Sequence, residues 1–169
     1  GGGEGATVRE ILRHRGITDC LMVDIDEEVV NRCREHLAVM HRGAFDDPRT
    51  RLLHEDARAY LQHTSDRFDL IVVDADGGLQ SAMALCSSVR QQSPGGTVPL
   101  VLVLNVAVAE DLPALFDSGA DDVLLAPFEA NELNVRVDAA GWRLRKDRER
   151  AARLHEAEAL VSVFVEQNT

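Results

Sequence analysis

The sequence predicts an α/β domain: a parallel sheet with helices on both faces. Short apolar runs alternate with stretches of helical periodicity from Cys20 to Gly141, the pattern of strand–helix–strand units. Residues 70–73 (LIVV) end on Asp74 and a Gly77-Gly78 turn, and residues 99–104 (PLVLVL) contain no polar side chain, as suits strands buried on both faces. Composition supplies the third observation. The chain is 45% hydrophobic but only 4% aromatic, so its core must be aliphatic.

The elements follow in order. Residues 1–7 (GGGEGAT) are a glycine-rich turn, and residues 8–15 a short helix with Thr7 at its N-cap. Residues 20–23 form a strand ending in Asp24-Ile25-Asp26. Val29, Val30, Cys33, Leu37 and Met40 then recur at helical spacing over residues 27–40. Residues 41–49 are a polar loop, residues 51–53 a short strand, and Asp56 caps a helix over 57–63. Residues 68–73 are the central strand, followed by an amphipathic helix over 79–90 and a Pro/Gly loop over 93–97. Residues 99–104 make the next strand. A helix over 110–118 stops at Gly119, the glycine expected just past a helix end. Residues 121–125 are the last strand, and a helix starts near Glu129.

That helix carries through Gly141. Leu133, Val137, Ala140, Leu144, Ala151, Leu154, Val161 and Val165 fall at spacings of about four, three and seven, an interrupted coiled-coil seam. It predicts either a helical extension able to pair with a second copy as a homodimer, or a helix folded back on the domain. The expected division is a glycine turn and appended helix over 1–18, an α/β domain over 19–141 and a helical extension over 142–169.

The net charge of −11 argues against a nucleic-acid surface. Residues 76–142 hold two basic side chains, Arg90 and Arg136, against nine acids. No apolar run is long enough to span a membrane, and no signal peptide is visible. Cys20, Cys33 and Cys86 have no metal-ligand spacing and are odd in number; they read as buried thiols of a cytoplasmic protein. The six histidines are scattered and read as solvent-exposed, and Trp142 reads as packing the last helix onto the sheet. A chain running from Gly1 to Thr169 reads as a fragment or an excised piece.

Several motifs carry a resemblance to a known family. GGGEGATVREILRH, LMVDIDEEVVNRCREHL, HRGAFDDPR, HEDARAYL and RFDLIVVD stand in order over residues 1–75 and resemble the nucleotide-binding part of spermidine synthases, the polyamine aminopropyltransferases. The resemblance implies that Gly1, Gly3 and Gly5 line decarboxylated S-adenosylmethionine. It implies that Asp24 takes the ribose hydroxyls, a carboxylate being able to accept two hydrogen bonds. Asp56 would contact the adenine, and Asp74 would position and deprotonate the attacking amine. After Asp74 this chain has Ala75-Asp76-Gly77-Gly78, without the family's Asp-Pro pair that helps bind the amine.

A second resemblance begins on the same strand. FDLIVVDAD, VPLVLVLN, LFDSGADDVLLAPF and EANELNVRV, over residues 66–140, resemble the later part of a response-regulator receiver domain. It implies phosphorelay signalling, in which Asp74 accepts a phosphoryl group from a histidine kinase and Mg²⁺ is held by Asp24, Asp26 and Asp74. Three positions depart from that family: Ile25 stands where the second acid of its first-strand pair would be, with Asp26 as a partial substitute, Asn105 replaces its strand-end Thr or Ser, and Ala126 replaces the Lys that pairs with phosphoryl oxygens.

The two resemblances share a topological account. A methyltransferase-like sheet in the order 3-2-1-4-5, without its first strand, becomes the beginning of the flavodoxin-like order 2-1-3-4-5. The expectation is therefore a three-layer α/β/α domain with one five-stranded parallel sheet in that order. The first functional reading is a degenerate receiver-like signalling or interaction module, not an enzyme. The alternative is a truncated spermidine synthase-like domain that binds decarboxylated S-adenosylmethionine or methylthioadenosine. An artificial chimera without evolved function is the third.

Overall fold

Among the described residues five strands form and every pairing is parallel, but they make two sheets rather than one. The computed structural model describes residues 3–74, 78–92, 98–104, 112–126 and 128–166, with side chains as far as residue 153. The elements are α1 (Ala6–Ile11), β1 (Cys20–Asp24), α2 (Glu27–His36), α3 (Ala38–His41), β2 (Thr50–His54), α4 (Ala57–His63), β3 (Ile71–Asp74), α5 (Leu79–Gln92), β4 (Leu100–Leu104), α6 (Leu112–Asp117), β5 (Asp122–Leu125) and α7 (Ala130–Glu166). β1 pairs with β2, and separately β3 pairs with β4 and β4 with β5. The expected continuous sheet in the order 2-1-3-4-5 is thus corrected: β1 and β3 do not hydrogen-bond to each other.

The three-stranded sheet holds the larger core. Leu100, Leu102, Leu115, Leu124 and Leu133 are all 0% exposed, and burying each such side chain stabilises the fold by about 1.5–3 kcal/mol. Ala82, Cys86 and Val89 of α5 and Leu115 of α6 pack on the face carrying Val73, Leu100, Leu102 and Leu104. Leu133 and Val137 of α7 pack on the other face, against Val103 and Leu124, with Ile11 and Val72 beside them. At its edge Arg90 donates to the carbonyls of Val98 and Gly119 and to Asp121, whose Oδ2 also accepts the Leu100 N–H at 2.7 Å. Gly119 sits just past α6 at φ 110°, as its position predicted.

The smaller core joins Val8 and Leu12 to Cys20, Met22, Val30, Ala44 and Phe45. α1, expected as an appended helix, therefore buries its apolar side on β1. Its other side meets α7: His14 lies 3.1 Å from Asp138 and 3.0 Å from Asn134. Glu10 is buried between them and paired with Arg9 and Arg13. Burial alone would raise the Glu10 carboxyl, but the two guanidiniums outweigh it and hold it below the ordinary carboxylate range.

Three local expectations change. The helix expected over 27–40 breaks at Leu37, which leaves helical geometry at φ −112° and ψ 42°. His41 folds back there, its Nε2 lying 3.0 Å from the Arg34 carbonyl while Nδ1 accepts the Gly43 N–H. That side chain takes a carbonyl the helix end would otherwise leave open, so His41 is buried rather than exposed. Trp142 is 57% exposed, with the Lys146 ammonium 5.9 Å from its ring centroid, and does not pack on the sheet. α7 is one helix across residues 141 and 142. No helix among the described residues is long and apolar enough to cross a membrane. The side chains of Leu154, Val161 and Val165 lie outside the described residues.

Candidate functional site

β1 delivers Asp24 to its carboxyl end, and the chain folds three further segments around it. Asp24 is 9% exposed, and its Oδ1 accepts the Asp26 N–H at 2.9 Å. Asp26 in turn caps α2 by accepting the Val29 N–H at 2.9 Å. Such a capping carboxylate satisfies an orphan donor of the first turn. The glycine turn closes over this carboxylate. A Cβ on Gly3 would stand 3.4 Å from Asp24 Oδ2, so only a small residue leaves the approach open.

Gly5 has a different task. It adopts φ 76° at the start of α1, and a Cβ there would come within 2.7 Å of both His41 and Phe45. Packing and a left-handed backbone both require glycine at this position. Gly1 lies outside the described residues.

On the other side of Asp24, the Glu55 N–H donates to the Asp24 carbonyl at 3.2 Å. That bond brings the Glu55-Asp56 turn beside the end of β1. Asp56 Oδ1 accepts the N–H groups of Arg58 and Ala59 at 2.8 and 2.9 Å, capping α4 as predicted. His54, opposite Asp24 in the register, has a buried Nδ1 with no hydrogen-bond partner. Sequence reasoning missed it, because spacing alone showed only a scattered histidine.

Asp74 ends β3, opposite Val103 of β4. Alternation along the strand puts its side chain on the same face as Val72, the face that meets Ile11 and α7. Asp24 shares a face with Cys20 and Met22, which meet Val8 and Leu12 of α1. Both strand-end carboxylates therefore point to the α1 side. A cavity of about 340 Å³ lies between the two strands, lined by Cys20–Val23 on one flank and Leu70–Asp74 on the other. Thr7, Val8 and Ile11 bound it on one face, and Ala57, Tyr60 and Leu61 also line it.

The expected Mg²⁺ site does not form from these acids. Among the described residues, no group of three or more His, Cys, Asp or Glu side chains is placed to hold a metal ion. The reason is topological. Asp24 and Asp74 belong to sheets that do not pair, and Asp26 lies beyond the strand, where it serves as a helix cap. Asn105 and residues 75–77 lie outside the described residues.

Comparison with known proteins separates fold from family. A response regulator from Clostridium difficile superposes with a TM-score of 0.50 at 22% identity, covering 75% of this chain and 98% of its own. A pilus assembly-related protein from Burkholderia pseudomallei superposes with a TM-score of 0.54 at 22% identity, covering 77% and 93%. These are likenesses of fold. Polyamine aminopropyltransferase 2 of Pseudomonas aeruginosa is 43% identical over 121 residues, which is 67% of this chain and 34% of that protein. The polyamine aminopropyltransferase of Aeropyrum pernix is 49% identical over 85 residues, 50% of this chain and 27% of that one. The chain spans about a third or less of the length of these relatives. The family described as spermine/spermidine synthase domain matches residues 1–86, half of the chain; this protein belongs to the spermine/spermidine synthase domain family.

Proposed function

We propose that the chain binds decarboxylated S-adenosylmethionine, or the methylthioadenosine left when its aminopropyl group has departed, at the carboxyl ends of β1 and β2. The observation that carries this reading is the closeness of the glycine turn, Asp24 and the Asp56 turn: Gly3 closes on the Asp24 carboxylate, and Glu55 bonds the Asp24 carbonyl. A carboxylate at a strand end accepts two ribose hydroxyls, and a backbone without side chains lets the ligand lie against it. In this reading His54 offers its unpartnered ring nitrogen to the same ligand.

Asp74 would be the proton acceptor in an aminopropyl transfer. The amine nitrogen would bond to the methylene carbon next to the sulfonium, the carbon–sulfur bond would break, and the nitrogen's proton would pass to the carboxylate. Residues 75–78 lack the Asp-Pro pair of the family's amine site. Ligand binding without transfer is therefore the function proposed for this chain.

Calorimetry with methylthioadenosine tests it. Asp24→Asn should weaken binding roughly 10–100-fold, the worth of a hydrogen-bonded charge at about 1.5–3 kcal/mol. Unchanged affinity in Asp24→Asn, or no heat at all with the unaltered chain, overturns the reading.

A second reading rests on one observation: Asp74 ends β3 of a fold that superposes on a response regulator. There Asp74 would accept a phosphoryl group from a histidine kinase, with α7 passing the signal to a second copy or another domain. Ala126 leaves that reading without its lysine. Incubation with acetyl phosphate and intact-mass measurement distinguishes the two, because an acyl phosphate at Asp74 belongs only to the second.

A further inference from the structure

We propose that the outer half of α7 pairs with an acidic amphipathic helix of another protein, one that carries Asp or Glu on both sides of an apolar stripe. This goes beyond nucleoside binding and stands whether or not that reading holds.

One stripe of α7 begins in the core and outruns it. Leu133, Val137 and Ala140 are buried on the domain, and Leu144 is half-buried. The same spacing continues through Asp147 and Ala151, but there the cover ends: every side chain from Asp147 to Arg153 is exposed. The helix runs on to Glu166, so about 30 Å of it follows Asp147 at a rise of about 1.5 Å per residue. Over that length the sequence keeps the seam spacing, with Leu154, Val161 and Val165. Such a helix takes most of its stability from packing an apolar stripe against another element, not from propensity.

The residues beside the stripe decide what that element carries. Arg143 and Arg150 each precede a seam position, and Arg148 follows one. In paired helices these are the positions whose charges meet across the seam and set partner choice. All three are exposed. Of the chain's 18 cations and 29 acids, six and two lie within residues 143–153, so the rest of the chain is strongly acidic. The domain already offers one acid to this stripe, since Arg148 pairs with Asp69, while Arg150 reaches Asp147 only at 3.9 Å. A second copy is a poor occupant. In a parallel pair the residue before one seam position faces the residue after the next on the other helix. That sets Arg143 against Arg148, and like charges across an interface reject the pairing. A polyanionic surface fits no better, because the acidic remainder of the chain repels it. An acidic helix answers the arginines and covers the stripe together. Asp147 stands in the seam itself, so the matching layer of the partner carries Lys or Arg, which fixes the register.

Calorimetry and sedimentation velocity on the full chain test this with two four-heptad peptides. Both carry Leu along the seam with one central Lys; one has Glu at every flanking position and the other has Lys. The Glu peptide should bind roughly tenfold or more tightly than the Lys peptide. Arg143→Glu, Arg148→Glu and Arg150→Glu made together should invert that order. Ala151→Asp separates docking in the seam from charge attraction. Ala151 is exposed, so circular dichroism should be unchanged, while the charge placed in the seam should weaken the Glu peptide roughly tenfold or more. Equal binding of the two peptides, or unchanged binding in Ala151→Asp, overturns the proposal. So does self-association of the unaltered chain that Ala151→Asp abolishes, which would give the seam to a second copy. Phosphatidylserine vesicles bound more tightly than the Glu peptide, and lost on the same arginine changes, overturn it as well.

Discussion

Arg49 grips Asp47 at both carboxylate oxygens, its Nε 2.9 Å from Oδ1 and its Nη2 2.8 Å from Oδ2. The same guanidinium donates to the carbonyls of Leu12 and Ile17, so the pair fastens the loop after α1 to the turn before β2. The side-chain bonds from Arg49 hold the Asp47 carboxyl down to about 2. A carboxylate whose folded value is depressed stabilises the fold above its unfolded value, near 4, and loses that contribution as pH falls through about 2. Stability measured by urea unfolding should therefore fall between about pH 4 and pH 2. Asp47→Asn should flatten that segment of the curve while lowering stability at pH 7. A parallel decline in both proteins would disprove the assignment.

Gly5 and Gly43 share a left-handed backbone, at φ 76° and φ 81°, but not their surroundings. A Cβ at Gly43 meets nothing within 4 Å, whereas at Gly5 it strikes His41 and Phe45 at 2.7 Å. Gly43→Ala should cost about 1–2 kcal/mol, the backbone strain alone. Gly5→Ala adds overpacking and should cost roughly 2–5 kcal/mol in all. Chemical denaturation of the two variants side by side checks the difference, and equal losses would contradict the packing account.

Two of the three thiols should be silent in the native protein. Burial pushes Cys20 up to about 11, with Asp19 adding to the shift, and burial also raises Cys86. Cys33, on α2, is only partly buried. Only the thiolate attacks a disulfide reagent, so titration with an aromatic disulfide at pH 8 should release one fast equivalent and two slow ones. All three should react at once in denaturant. Peptide mapping that places the fast equivalent on Cys20 would refute the burial seen here.

Much of the fold was legible because its signals are local. Asp56 stands where a carboxylate can cap the next helix, and it caps α4, whereas Asp26, read as a metal ligand, turned out to cap α2. Leu100–Leu104 is buried at every position, as its unbroken apolar run required. The split sheet was not legible. Alternation tells which face of β1 or β3 is buried, but nothing in either strand names the neighbour at its edge. His41 misled for a related reason: its burial comes from folding back onto Arg34, seven residues away. Trp142 lies on a helix whose apolar seam passes it by. The places of the candidate residues in the fold were legible, since Asp24 and Asp74 each end a strand and Asp56 follows one. The His54 nitrogen emerged only when its neighbours were in place.

The separation of the two sheets bears on how the molecule comes apart. Backbone ladders transmit unfolding from strand to strand, and none crosses from β1 to β3. What spans the divide is side-chain contact: Ile11 touches both smaller clusters, Leu61 of α4 packs against the larger core, and His14 meets Asn134 and Asp138 of α7. The chain should therefore come apart as two cooperative units of unequal strength. The unit built on β3–β5 keeps the five fully enclosed leucines, while a two-stranded sheet is marginal by itself. Asp24 and Asp56 belong to the weaker unit and Asp74 to the stronger. A ligand held by all three would act as a rivet, merging two melting transitions into one.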